Sequence, residues 1–382
     1  MADLLSPRTL PLLTPDLPGT GGIVRLSEED FRVEELPLYP ASGQGDHLYV
    51  TVEKAGRTTH EVASELAAAL GVKDREVGVA GLKDKRAVTV QRMSVPLPAG
   101  SAGPAAAAKA EEFRARALAC AGRGWRVLSA ERHGNKLRTG HLAGNRFIVV
   151  IRGGAADAGE RARAVLARLA PLGLMNLFGH QRFGQRGDNA ALGAAILKRA
   201  PESARAQRDR FLRRLALSAL QAELFNRCLA ARVRDGLFAH AILGDVMKKR
   251  TGGLFLCEQP ALDTPRVLSG EIDPAGPLPG HDFFLANGDA LAREEAVLRE
   301  AEIDPRTFAV GGGEMEGARR PYRIPLGEVS LEELPPEPPA QPGAKASRPL
   351  RLGFSLPPGS FAHALLREVT KIGADLDALP ET

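Results

Sequence analysis

Cysteine is scarce in this chain of 382 residues: Cys120, Cys228 and Cys257 are far apart and odd in number. No Cys-x-x-Cys exists, which excludes a zinc ribbon and a disulfide framework and leaves a reducing, cytoplasmic setting as the expectation. Each cysteine reads as a small buried hydrophobe. Long apolar runs are missing too. Nothing approaches the roughly 18–20 residues of a spanning helix, so no membrane partner is expected. The opening MADLLSPRTLPLLTPDLPG has an acid at Asp3, four prolines by Pro18 and no basic leader, so no secretory signal is expected. Walker A, HExxH, GxSxG and a GxGxxG between strand and helix are all absent, and GGGEMEG from Gly311 has the wrong spacing. NAD, ATP, S-adenosylmethionine and zinc have no visible site. An enzyme with this sequence is expected to use side chains alone, with no cofactor and no metal.

What is present fits a globular protein of about two domains. Hydrophobic residues make up 44% and charged residues 25%, which excludes a wholly disordered chain and a collagen-like one. Lysine and arginine number 51 against 46 acids, a net +5. The excess is clustered: Arg123 to Arg152 holds seven Lys or Arg against Glu131 alone, and Lys198 to Arg234 holds ten against three acids. Such clusters suit a polyanion, although a solvated surface uses arginine in the same way.

Along the chain, strand-like segments are Ile23 to Leu38, HLYVTV from His47, Glu76 to Ala80, Ala87 to Val95, Trp125 to Ser129 and RFIVVIR from Arg146. Thr58-Thr59-His60-Glu61 fits a capping box and predicts a helix running to Gly71. Strand and helix signals mix without a regular βαβ repeat, which favours α/β or α+β around a mixed sheet. A change comes near Pro171, and Ala190 to Leu237, dense in Ala, Leu and Arg, reads as helical. The stretch 334–347, LPPEPPAQPGAKAS, is of low complexity and is expected to form a mobile loop. The final strand and helix match the first part in style, so one domain is expected inside another: residues 1–170 and 323–382 as one domain, 171–322 as an insert.

The sharpest local feature is VAGLKDKRAVT, which sets Asp84 among Lys83, Lys85 and Arg86 at a strand-to-strand connection. Cations beside a carboxylate favour its charged form, available as nucleophile or base, and also attract a phosphodiester backbone. An exposed charged turn is the ordinary use of such a stretch. On the residues alone, three readings stay open: an RNA-modifying enzyme, a non-catalytic RNA-binding protein, and a small-molecule lyase or phosphodiesterase with Asp84 as base. The arginine clusters and the missing metal motif weigh against the last.

The segment VAGLKDKRAVTVQ closely resembles the active-site segment of the TruD family of tRNA pseudouridine synthases. Glu29 to Glu35 resembles that family's early DFxVxE block, and Leu142 to Phe147 its GNxF block. Asn176 to Gly184 resembles its NxFGxQRFG block, and Leu356 to Phe361 its closing LPxGSF block. The five blocks occur in the family's order and span residues 29 to 361. The resemblance implies a pseudouridine-synthase-type mixed β-sheet catalytic domain with a largely helical inserted domain. It implies a cofactor-free isomerase that detaches uracil from ribose, rotates it and rejoins it through carbon, acting on uridine 13 of tRNA, typically glutamate tRNA.

On that resemblance Asp84 is the catalytic nucleophile; whether it attacks sugar or base, or abstracts a ribose proton, is not legible. Phe147 would stack on an extruded uracil, which must leave the helix to react. Asn145 would meet a uracil edge or the ribose, and Phe31 and Phe361 would line the nucleotide pocket. Arg25 stands where the family usually has a lysine, and Arg25 and Lys83 are the foremost candidates for the charge partner of Asp84, the former able to pair bidentately. Lys85, Arg86, Arg213 and Arg214 are candidates for the RNA backbone. Oligomeric state is left open, a monomer being sufficient. A degenerate relative that only binds RNA would be free to lose Asp84.

Overall fold

The computed structural model describes residues 10–98, 104–184, 186–337 and 347–372. These divide into two compact units. A sheet unit takes its residues from Gly21–Gly159 and Gly327–Gly359; a helical unit takes residues 10–20, Glu160–Leu326 and 360–372. Residues 10–20 and 360–372, which the sequence reading groups with the catalytic domain, join each other within the helical unit. Thr20 N–H donates to the Val369 carbonyl (2.9 Å), Leu13 N–H to Glu368 Oε1 (2.7 Å), and Arg367 to the carbonyls of Leu10 and Pro11. Of the Pro-rich stretch, residues 338–346 lie outside the described residues, and Glu337 bridges to Ser347 at its base.

Among the described residues the sheet unit holds a ten-stranded mixed sheet. Its order is Gly327–Glu333, Leu350–Leu356, Leu142–Gly154, Phe31–Pro37, Val88–Pro96, His47–Lys54, Trp125–His133, Ala121–Gly122, with Gly21–Val24 beside Leu142–Gly154 and Gly78–Val79 beside Val88–Pro96. Phe31–Pro37 and Val88–Pro96 run parallel, in register Val33 to Thr89, while the flanking pairs are antiparallel. Parallel neighbours require a crossover. It passes through His47–Lys54 and the helix Thr59–Leu70, whose capping box is formed by Thr58 and Glu61 and which ends at Gly71 in the left-handed region (φ 73°). That helix and Pro104–Leu118 bury Val62, Leu66, Leu70 and Phe113 against Leu48, Val50, Val52, Met93 and Val95.

The topology decides what meets what. Arg25 precedes one parallel strand and the Asp84 loop precedes the other, so both arrive at the same end of the sheet. The antiparallel strand His47–Lys54 finishes there, with Lys54 opposite Thr89. Directly paired residues project from one face. Lys54, Thr89, Val33, Phe147 and Phe354 therefore form one row across the sheet, and Glu35, Asn145 and Leu356 lie in the next.

The helical unit is built on Arg210–Arg234, 25 residues long, whose N-terminus is capped by the Asp209 carboxylate accepting from Leu212 N–H (3.0 Å). Its buried stripe, including Leu217, Leu220, Leu224 and Cys228, packs with Phe178, Ile196, Phe238 and Tyr322. A four-stranded sheet, Leu254–Leu256, Val246–Lys249, Ile272–Leu278 and Ala318–Pro321, completes it.

Candidate active site

Asp84 lies on the loop between Gly78–Val79 and Val88–Pro96, its side chain 39% exposed, with Arg25 Nη2 at 3.1 Å from Oδ2. Arg25 is itself mostly buried, and its guanidinium carbon sits 3.8 Å above the centre of the Phe31 ring. Stacking on one side and ion pairing on the other fix the planar guanidinium. The backbone at Arg25 has φ 63°, a left-handed conformation uncommon outside glycine. The chain thus accepts local strain at the residue that meets Asp84.

Lys83 does not serve Asp84. Its ammonium crosses the sheet face to Glu35 Oε2 at 2.9 Å, with the two side chains 6% and 2% exposed. Its backbone N–H donates to Thr59 Oγ1 (3.0 Å), which donates in turn to Gln91 Oε1 (2.9 Å). The Asp84 loop is therefore sewn to the face at Glu35 and Thr59. A further tie comes from Lys54. It is 1% exposed, and its ammonium donates to the carbonyls of Arg57 (2.8 Å) and Asp84 (2.9 Å), with that of Lys83 at 3.5 Å. Burial pushes the Lys54 pKa down to about 8, against the opposing pull of Asp84.

The aromatic residues form a packed row. Phe31 and Phe147 meet edge to face at 6.3 Å, and Phe147 stacks on Phe354 at 5.2 Å. Phe31 and Phe147 are both buried. Asn145 is half-buried, and its Oδ1 is a buried acceptor without a hydrogen-bond partner. Its neighbour Gly144 lets two motif blocks touch: a Cβ there would stand 2.4 Å from the Leu356 carbonyl oxygen. The early block is anchored at the other end of the same strand, where Arg152 grips the buried Asp30 carboxylate at 2.7–3.0 Å.

The sheet unit brings together Asp84, Arg25, Phe31, Lys83, Asn145 and Phe147. Lys85 and Arg86 are exposed on the same loop. Phe361 belongs to the helical unit, 37% exposed, with its ring 5.8 Å from that of His363. Arg214 is exposed on the long helix, but Arg213 is committed within the protein: it binds Glu314 (2.9 Å), Gln207 (2.8 Å) and the Val310 carbonyl (2.7 Å). Sequence reasoning passed over Lys54 and Glu35 as site residues. A signal for the first existed, since Leu48, Val50, Val52 and Lys54 share the buried phase of one strand. Among the described residues no group of three or more His, Cys, Asp or Glu could hold a metal ion, and no helix is long and apolar enough to cross a membrane.

The family model for tRNA pseudouridine synthase D (TruD) matches residues 10–208 and 204–369. A tRNA pseudouridine synthase D from Anaeromyxobacter dehalogenans (strain 2CP-1) is 52% identical over 370 residues, covering 96% of this chain and 98% of that protein. A counterpart from Thermus thermophilus is 43% identical over 372 residues, covering 96% and 94%. A solved Methanosarcina mazei protein carrying the TruD name shares the fold, with a TM-score of 0.75 at 23% identity over 97% of this chain and 98% of that one. With the family matched along nearly its whole length, the chain belongs to the TruD family of tRNA pseudouridine synthases.

Proposed function

We propose that this protein isomerises uridine to pseudouridine at position 13 of tRNA, with glutamate tRNA as a substrate and Asp84 as the nucleophile. The observation that carries the reading is the Arg25–Asp84 pair at 3.1 Å, presented on a sheet face that also bears the unpartnered Asn145 Oδ1. The reaction breaks the bond from ribose C1′ to N1 and forms one from C1′ to C5; C5 gives up a proton and N1 gains one, so nothing is consumed. A carboxylate that adds to the substrate and leaves again is sufficient chemistry. Arg25 orients that carboxylate. Asn145 Oδ1, a buried acceptor without a partner, is the group suited to a uracil N–H, and the Phe147 ring, itself buried against Phe31 and Phe354, backs the pocket from within the sheet. Lys85, Arg86 and Arg214 are exposed cations suited to phosphate.

The test is incubation of the purified protein with unmodified glutamate tRNA, followed by mapping of pseudouridine. Conversion at position 13 is expected. Binding without conversion would favour a non-catalytic RNA-binding protein; conversion at another uridine would keep the chemistry and overturn the site.

A further inference from the structure

Lys54 ends a strand whose inward residues are otherwise Leu48, Val50 and Val52, and it is as buried as they are. A buried ammonium is costly unless its donors are all used. Here two of them reach the carbonyls of Arg57 and Asp84, at 2.8 and 2.9 Å, and the third lies 3.5 Å from that of Lys83. With its protons so directed and 1% of its surface exposed, Lys54 has none to offer a substrate. What it can do is hold the backbone of the residue that carries the reacting carboxylate.

We propose that Lys54 is a positioning residue for the isomerisation, clamping the Asp84 loop from beneath so that the Asp84 carboxylate stays in the geometry that Arg25 fixes from the side. The proposal rests on Asp84 being the reacting group. Charged groups facing Lys54 are Asp84 and Lys83 on the loop, Glu61 on the helix Thr59–Leu70 and Glu28 on the turn before Phe31. Lys83 is already paired with Glu35, so Asp84 is the near anion. Loss of the ammonium proton leaves a neutral amine with two donors for three carbonyls and removes a positive charge beside Asp84. The reaction rate is therefore tied to the protonation of a group that never touches RNA, one that titrates at about 8.

The experiment is a single-turnover pH profile at saturating enzyme for the wild type, Lys54→Met, Lys54→Arg and Asp84→Asn. The wild-type rate is expected to fall on the alkaline side as pH passes about 8, with tRNA affinity unchanged. Lys54→Met should lose about 10²-fold in rate at neutral pH, the scale of a reacting group misplaced by an ångström, with tRNA affinity within about threefold. Its alkaline limb should disappear. Lys54→Arg keeps a cation that does not titrate in this range, so its profile should stay flat whatever its absolute rate. A Lys54→Met rate within about threefold of wild type, or an alkaline limb surviving in either variant, would overturn the proposal. Should both variants fail to fold, a flat wild-type profile from pH 7 to about 9 overturns it and an alkaline limb there supports it. An active Asp84→Asn would sink the reading of Asp84 itself, whereas an inactive Asp84→Asn beside a normal Lys54→Met would sink only the role of Lys54.

Discussion

A carboxylate 39% exposed beside a guanidinium that is stacked on Phe31 is oriented without being walled in. Asparagine has almost the same shape, so Asp84→Asn should fold normally and bind tRNA as tightly as wild type, or slightly more tightly, since a negative charge facing RNA is lost. Its single-turnover rate should drop by at least ~10²–10⁴-fold, the scale of a lost acid–base or nucleophilic group. Modification within about tenfold of wild type would leave Asp84 without a chemical role. Lys54 adds a test with an unusual sign. Its pKa is lowered from 10.5 to about 8, so between those values the folded chain releases a proton that the unfolded chain keeps. The unfolded state binds more protons there, and the contribution of Lys54 to folding stability rises with pH while the reaction rate falls. Urea melts at pH 8 and pH 10 should show that rise in the wild type relative to Lys54→Met; equal pH responses would count against it.

At the scale of elements, the long helix Arg210–Arg234 distinguishes two adjacent arginines. Arg213 is 16% exposed and tied to Glu314, so Arg213→Glu sets two carboxylates together in a partly buried place and should lower stability. Arg214 is exposed, and Arg214→Glu should leave the thermal midpoint nearly unchanged while weakening tRNA binding. Thermal melts and filter binding on both variants decide it, and a stable Arg213→Glu protein would contradict the Glu314 tie. The helix His363–Thr370 carries a second titration. Burial, with Arg367 adding, pushes His363 down from 6.5 to about 4, so as pH falls through that window the unfolded chain takes up a proton that the folded chain refuses. Stability should be lost with falling pH, and His363→Gln should lose less between pH 7 and pH 5 by urea midpoint. The same acid loss in both proteins would exclude His363 as its source.

For the whole molecule, the net charge of +5 is small beside the local clusters, so recognition of a polyanion should follow those clusters. If several lysines and arginines meet phosphates, log affinity for tRNA should fall with log salt by about 0.7–0.9 per phosphate neutralised. A flat salt dependence from 50 to about 200 mM would argue against tRNA binding through its backbone.

Much of this protein was settled by local sequence. The Thr58–Glu61 box and Gly71 bound a helix by backbone hydrogen bonding alone, and the phase of Leu48, Val50 and Val52 marks the buried side of a strand. The five motif blocks, with Asp84 among them, were legible through their resemblance to the TruD family, whereas the residues alone left three readings open. Pairing across distance was not. The resemblance offered Arg25 and Lys83 alike as partners of Asp84, and nothing in the order of residues says that Lys83 turns to Glu35 while Arg25, 59 positions from Asp84, reaches the carboxylate. Both follow from Phe31–Pro37 and Val88–Pro96 lying parallel, which puts their incoming loops at one end of the sheet. The same holds for residues 10–20, which join the last helix through Glu368 and Arg367, and for Arg213, whose partner Glu314 lies 101 positions away. Local sequence sets which groups are available and which face of an element is apolar; long-range strand register and the burial that comes with it decide which charges neutralise each other and which remain for a substrate.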